Sequence, residues 1–326
     1  MIDLHVHSTM SDGTYTPSQL IKLAKDKGLK AIALTDHDTI YGNKEAREAA
    51  KKYDMEFIHG MELSLNYNNH QIHVVALGFD EESKAFKDFY HELRQKKQSS
   101  IVSVIDYLQK QGLDISVEKV EPFIAGGALD KYAILRYLVS DKSKAGDIQY
   151  LWDRYIDPAF NNLNLKITEN PKAEDAIQAM KKAGAVTSLA HFHKKIGFKN
   201  YTREEQEANI KYLHEIGLDG MEAYYPNYSE DDEKFAHYLI EKYDLVPTGG
   251  TDFHGANRPS VDLGSGTNNN LDVPYGFVVP PVDVSSVIGI FSGSPYTVAD
   301  ELNINFLHPY FLIVSNNTNA PDILFS

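Results

Sequence analysis

Cysteine is absent from the 326-residue chain. That excludes disulfides, thiolate metal sites and cysteine nucleophiles, and it fits a cytoplasmic location. Long apolar runs are absent too. No stretch approaches the roughly 18 residues of a membrane-spanning helix, so no membrane partner is expected. No basic-then-apolar leader precedes the first useful residues, Met1-Ile2-Asp3-Leu4-His5, which reads as a chain without a signal peptide. Positive charge is scarce: 32 Lys and Arg stand against 46 Asp and Glu, a net charge of −14. Such a balance disfavours a broad grip on nucleic acid, so no long nucleic acid is expected as partner. A local cationic pocket for a small anion stays open. The length allows one large domain or two modest ones, at roughly 100–200 residues each.

What is present is histidine, 13 residues of it. Without cysteine, any bound metal would be held by imidazole and carboxylate. The chain alternates between strand-like and helix-like segments. Residues 3–7 read as a buried strand. Thr16, Pro17 and Gln19 mark a helix start as N-cap, first-turn proline and capping box. Strands follow at 31–35 and 56–63. Extended runs 61–67 and 71–78 flank Asn68-Asn69 as a hairpin. Residues 82–165 read as a helical insertion. Alternation resumes with strands at 185–191, 219–223 and 245–251. About seven βα units predict an α/β barrel over residues 1–81 and 166–263, with site residues at the C-terminal strand ends. Residues 264–326 read as an irregular C-terminal extension, with Pro274, Pro280, Pro281 and Pro295 interrupting apolar stretches. No repeat of 20–50 residues recurs.

Six histidines and three acids fall where these strands run out. His5 and His7 share a face, because side chains repeat every two residues along a strand. Asp12 follows in the next loop. His37 sits in Thr35-Asp36-His37-Asp38, Glu62 and His73 in the third strand and hairpin, and His191 at the end of 185–191. Asp252 and His254, again two apart, close the last strand. Mixed imidazole and carboxylate ligands suit manganese, iron or zinc more than calcium or magnesium. Nine ligands are too many for one ion and suit two or three, with Glu62 bridging. Clustered divalent ions lower the pKa of a bridging water and hold the attacking and leaving oxygens at phosphorus.

Six motifs in this order, HVHS…SDG, LTDHDT, the Glu62 strand, the His73 strand, LAH and GTDFHG, resemble the PHP (polymerase and histidinol phosphatase) family of metal-dependent phosphoesterases over roughly residues 1–255. The resemblance implies a distorted (β/α)7 barrel. It implies one ion at His5, His7, Glu62 and Asp252, a second at Glu62, His73 and His191, and a third at Asp12, His37 and His254. It implies a small phosphorylated substrate, a nucleoside 3′,5′-bisphosphate or a cyclic phosphate, attacked by a metal-bridging hydroxide. A histidinol-phosphate phosphatase, a short-oligonucleotide exonuclease and a non-catalytic metal-binding module are the alternatives.

The chain departs from the family pattern at substrate-contact positions. Gly126-Gly127-Ala128-Leu129-Asp130-Lys131-Tyr132-Ala133 stands where relatives carry Gly-Arg-Pro-His, with Lys131 in place of the arginine. Ala190-His191-Phe192-His193-Lys194-Lys195 replaces Ala-His-Pro, and Tyr224-Tyr225-Pro226 replaces Tyr-His-Pro. Lys131, His193, Lys194 and Lys195 are candidates for holding a phosphate, or are solvated surface. His193, as phosphate donor or general acid, and Asp252 are the candidate catalytic residues. Tyr224, Tyr225 and Asn227 either stack on a base or sugar or simply pack at a strand end. Asp36 and Asp38 either orient an imidazole or cap a turn.

Overall fold

The computed structural model describes residues 1–125, 127–140 and 148–276. The expected helix start is present. In α1 (Pro17–Asp26), Thr16 accepts from Gln19 N and the Gln19 side chain answers to the Thr16 backbone. Its buried face, Leu20, Ile21 and Ala24, packs with β1 (Ala31–Leu34) and α2 (Asn43–Tyr53) into one apolar cluster. β2 (Glu56–Tyr67) and β3 (His70–Leu77) form one long antiparallel hairpin. Asn68 and Asn69 both take the left-handed conformation at its tip, as a two-residue hairpin turn requires.

The helices from α3 (Lys84–Lys110) through α4 (Val117–Val120), α5 (Lys131–Ser140), α6 (Ile148–Leu151), α7 (Asp157–Asn162) and α8 (Leu165–Thr168) share an apolar cluster of their own. It includes Val104, Leu108, Leu138 and Ile156, all buried. A single π-helical turn, Trp152–Ile156, joins α6 to α7. Helix–strand alternation then resumes with α9 (Ala173–Lys182), β4 (Val186–Leu189), α10 (Arg203–Glu215), β5 (Gly220–Tyr224), α11 (Glu230–Tyr243) and β6 (Val246–Gly249). α10 and α11 both open on capping boxes, Thr202 with Glu205 and Ser229 with Asp232.

The six strands lie in sequence order, β1 to β6. β1–β2, β4–β5 and β5–β6 are parallel, while β3 meets both β2 and β4 antiparallel. The barrel is therefore not built from uniform parallel units. Residues 3–7, expected as a strand, instead make isolated bridges to both outer edges of this sheet. Toward β1, Ala33 N donates to Asp3 O (2.8 Å) and Thr35 N to Val6 O (2.9 Å). Toward β6, Leu4 N donates to Gly249 O (3.1 Å) and Asp252 N to His5 O (2.8 Å). This seventh extended segment links the first and last strands, giving a distorted barrel with a helical insertion. Gly250 makes the approach possible, since a Cβ there would lie 2.4 Å from His5 N.

Buried Asp3 pins the junction. Its carboxylate accepts from Thr251 N (2.9 Å), Thr251 Oγ1 (2.6 Å) and Gly264 N (2.9 Å). Burial pushes its pKa up to about 6, against those hydrogen bonds. The start of the expected irregular extension is fastened to the barrel: Val273 bridges Ile2, and Asn270 Nδ2 donates to Pro226 O (2.7 Å). The rest of that extension, 277–326, lies outside the described residues, as does Gly126. No helix among the described residues is long and apolar enough to cross a membrane.

Candidate metal centre

Glu62 organises the site. It sits on β2 with no solvent exposure, and its two oxygens face different imidazoles. Oε1 lies 2.9 Å from His73 Nδ1 and 2.9 Å from His191 Nε2. Oε2 lies 3.2 Å from His5 Nε2, 3.2 Å from His7 Nε2 and 3.1 Å from His37 Nδ1. Asp252 Oδ1 stands 3.2 Å from His7 Nε2 and 3.6 Å from His5 Nε2. Asp12 reaches His254 Nε2 at 3.3 Å, His7 Nδ1 at 3.6 Å and His37 Nε2 at 3.7 Å. Potential ligand atoms converge within 4.8 Å in three groups: His5, His7, Glu62 and Asp252; His7, Asp12, His37 and His254; His37, Glu62 and His73. All nine residues expected from the strand ends are thus brought together. The grouping differs in detail, because His7 and His37 each serve two sets and His191 joins through Glu62.

The donor set fits divalent ions. His5 Nε2, His7 Nε2, His37 Nδ1 and Glu62 Oε2 are buried with no hydrogen-bond partner. Orphaned polar atoms at this depth are costly unless something fills the space they share. The charge distribution points the same way. Burial opposes ionisation of Glu62, Asp12 and Asp252, yet the surrounding imidazoles, joined at Asp252 by Lys194 and Arg258, hold all three well below the usual carboxylate range. Burial likewise opposes charge on His7, but the Asp252 and Glu62 carboxylates beside it push it up to about 9. His191 goes the other way, to about 3, through burial and the neighbouring Lys194. His191 and Asp252 both have positive φ, 29° and 55°, a costly conformation for residues with a Cβ and one that gathers at functional sites.

Two supporting residues escape the sequence reading. Glu222 on β5 is buried and accepts from His5 Nδ1 (2.7 Å) and His191 N (2.6 Å). A proton on His5 Nδ1 leaves Nε2 bare and aimed at Glu62. The sequence signal of Glu222 is a lone acid inside the strand GMEAY. Arg258 donates to Asp252 Oδ2 (2.7 Å). Lys194 (2.9 Å) and the Tyr225 hydroxyl (2.7 Å) donate to the same oxygen. Three donors saturate Oδ2 and leave Oδ1 for the imidazoles. Asp36 and Asp38 touch neighbours other than the imidazoles. Asp36 accepts from Ser8 Oγ (2.6 Å) and Ser11 Oγ (2.6 Å), and Asp38 pairs with Lys97 (2.9 Å).

A cavity of about 660 Å³ opens over the nest. Asp12, His37, His73, His191, Asp252 and His254 line it, together with Lys194, Lys195 and Arg258. The insertion adds Lys131, Tyr132, Trp152 and Phe160 to the lining. The Lys131 ammonium lies 5.1 Å from the Tyr132 ring centroid, 5.5 Å from Trp152 and 5.9 Å from Phe160. Three expected contacts stand apart from the cavity lining. Tyr225 is buried and bonded to Asp252, so its ring offers no face for stacking. Tyr224 packs edge-on against His237. The His193 ring lies against Phe192, Tyr225 and Tyr228, and burial beside Lys194 lowers its pKa to about 4. That leaves it neutral near pH 7, without the proton a general acid needs.

Glu222→Ala is expected to weaken metal uptake or turnover by about 10–100-fold, the usual effect of removing a partner that orients a ligating histidine. Metal titration and steady-state kinetics on the folded variant check this. Values matching wild type would remove Glu222 from the role.

The comparisons with known proteins agree with this geometry. The chain is 30% identical over 253 residues to a 5′-3′ exoribonuclease of Haemophilus influenzae, covering 77% of this chain and 89% of the relative. It is 28% identical to a phosphoribosyl 1,2-cyclic phosphate 1,2-diphosphodiesterase of Eggerthella lenta, covering 78% and 94%. It is 26% identical to a 3′,5′-nucleoside bisphosphate phosphatase of Chromobacterium violaceum, covering 81% and 90%. A crystal structure of a Bifidobacterium adolescentis chain, predicted to be a metal-dependent phosphoesterase, shares the fold. Its TM-score is 0.70 at 24% identity, covering 83% of this chain and 92% of that one. The family model for the PHP domain matches residues 3–216, and with the imidazole–carboxylate nest at its strand ends the chain belongs to the PHP domain family.

Proposed function

We propose that the chain is a metal-dependent phosphoesterase that hydrolyses a small phosphorylated nucleotide, a 3′,5′-bisphosphate or a cyclic phosphate. The observation that carries this is Glu62. One buried carboxylate stands between two sets of imidazoles, with four ligand-type atoms orphaned around it. The proposed ions are two or three of manganese, with iron or zinc as alternatives. When bound, they supply charge neutralisation at phosphorus and a lowered pKa for an attacking water. The nine proposed ligands are His5, His7, Asp12, His37, Glu62, His73, His191, Asp252 and His254.

The residues above the nest account for the substrate. Lys131, contributed by the insertion, is held among three aromatic rings, and Lys194, Lys195 and Arg258, contributed by the barrel segments, line the same cavity. Two separate cationic positions suit two phosphate groups, or one phosphate and a developing oxyanion. The asparagines at 161, 164 and 170 add amide groups to the lining, suited to sugar hydroxyls. Histidinol phosphate carries a single phosphate and uses this arrangement less fully. A non-catalytic module has no need of all nine ligands.

The exoribonuclease reading is favoured by three relatives of that name, one of them 30% identical and two 26% identical. A competition panel with manganese separates the readings. It contains 3′,5′-bisphosphates, cyclic phosphates, histidinol phosphate, sugar phosphates and single-stranded oligonucleotides. We expect kcat/KM to be highest for a small nucleotide, because a chain of −14 repels an extended polyanion. If kcat/KM rises with oligonucleotide length beyond about five nucleotides, as a strand-tracking groove would make it, the exonuclease reading replaces this one.

A further inference from the structure

Lys97 is a buried lysine, 7% exposed, on the long helix α3. Its ammonium touches three oxygens: Asp38 Oδ2 at 2.9 Å, Glu169 Oε1 at 3.1 Å and Asn170 Oδ1 at 2.6 Å. All three partner residues are themselves buried. Asp38 is the residue after His37 in the turn leaving β1. Glu169 and Asn170 line the cavity. One ammonium therefore joins the insertion, the turn carrying a proposed ligand, and the cavity wall.

The grip on that turn is wider than one contact. Tyr90, Arg94 and Lys97 occupy positions i, i+4 and i+7 of α3, a single helix face. The Tyr90 hydroxyl accepts from Ile40 N (3.3 Å), and Arg94 Nη1 donates to Asp38 O (3.0 Å). From the barrel side, Asp38 N donates to Glu62 O (2.9 Å) and Ser64 N donates to Asp38 Oδ1 (2.9 Å). Asp38 itself has φ of 53°, a conformation that needs support from its surroundings. Tyr90, Arg94 and Lys97 are not among the residues lining the cavity, so their effect must pass through the His37 turn and Glu169–Asn170.

The geometry points to Lys97 as a positioning residue: it locks the His37 turn and the Glu169–Asn170 wall to α3, so that the ion group containing His37 is complete only when the insertion is seated. Without the ammonium, the buried carboxylates of Asp38 and Glu169 lose the counter-charge they share, and only the more distant Lys131 still acts on Asp38. Like charges there repel strongly, and the shortest relief is movement of the His37 turn. The group of His5, His7, Glu62 and Asp252 lacks His37 and meets this turn mainly through Glu62, whose backbone the barrel ladder also holds, so the smaller change is expected there. This inference rests on the reading of the nest as an ion site.

The test titrates manganese into metal-stripped wild type, Lys97→Met and Lys97→Arg. Bound ion is counted by equilibrium dialysis at a temperature where each is folded by circular dichroism. We expect Lys97→Met to weaken the most loosely held ion by about 10–100-fold and to change the tightest one less. Lys97→Arg, which keeps the charge, should recover most of the loss. Amide hydrogen exchange of the metal-free proteins should speed up at 37–40 in Lys97→Met. If folded Lys97→Met titrates like wild type, the inference is overturned while the reading of the nest stands. If wild type takes up no ion, both fall together. Should Lys97→Met not fold, Asp38→Asn carries the test. It keeps an acceptor for Ser64 N and removes the charge facing Lys97, and the same loss of the weak ion is expected; an unchanged titration overturns the inference.

Discussion

Glu62→Gln should reduce turnover by about three orders of magnitude or more while leaving the barrel folded. Glutamine has the size and shape of glutamate, so the packing around this fully buried side chain is preserved. The chemistry is not. One end of the new amide is an NH2 group, a donor that cannot ligate. If that end takes the place of Oε1, the pair His73 and His191 loses its shared oxygen. If it takes the place of Oε2, the set His5, His7 and His37 loses it. Either orientation breaks the bridge between sets. The variant also removes one of only three carboxylate charges in the nest, so the remaining groups hold clustered cations less well. Charge stabilisation at phosphorus carries much of the rate in such chemistry, and loss of single preorganised groups costs about 10²–10³-fold even without metal loss. Metal analysis after dialysis should find at least one ion fewer than in wild type. Near-normal kcat with a full metal complement would show that Glu62 does not bridge.

Much of this site is legible in the sequence because its ligands are local patterns. His5-Val6-His7 and Asp252-Phe253-His254 advertise themselves through the period of two, and each sits beside a strand that composition alone marks. Helix starts are legible for the same reason, since Thr16 and Gln19 cap within one turn. What stays hidden depends on contacts between distant segments. Glu222 meets His5 across 217 positions, and Lys97 meets Glu169 across 72. Nothing in the flanking residues announces such pairs. Stacking by Tyr225 fails as an expectation because spacing says where a side chain leaves the backbone, not what it meets. Its ring is buried, and its hydroxyl is committed to Asp252. Residues 3–7 are a milder case. Their apolar alternation marks an extended segment, but whether it forms a ladder or isolated bridges is decided by two neighbours that arrive more than 20 and 240 residues later.

Removing the ions should destabilise the protein in a pH-dependent way. Ligation needs neutral imidazole, so metal uptake displaces protons wherever the metal-free site holds charged histidines. His7 is such a group, with its pKa pushed up to about 9 by Asp252 and Glu62 despite burial. The sign follows from linkage. A histidine whose folded pKa lies above its unfolded value contributes stability that is fully present below about 6.5 and is lost as pH rises through about 9. The metal-free protein should therefore melt at progressively lower temperature across that window. Ions act in the opposite direction, because fewer protons compete for the imidazoles as pH rises. An ion present at 100 times its Kd adds about 2.7 kcal/mol, or roughly 4–5 °C in melting temperature for a chain of this size. The gap between loaded and metal-free protein should thus be smallest near pH 6 and widen toward pH 9. Thermal melts with EDTA and with manganese at pH 6, 7.5 and 9 measure that gap directly. Calorimetric titration in two buffers of different ionisation enthalpy counts the protons released at pH 7.5. Identical melting temperatures with and without manganese at every pH would mean that the nest holds no ion. A gap that narrows as pH rises would mean that His7 is not among the displaced protons.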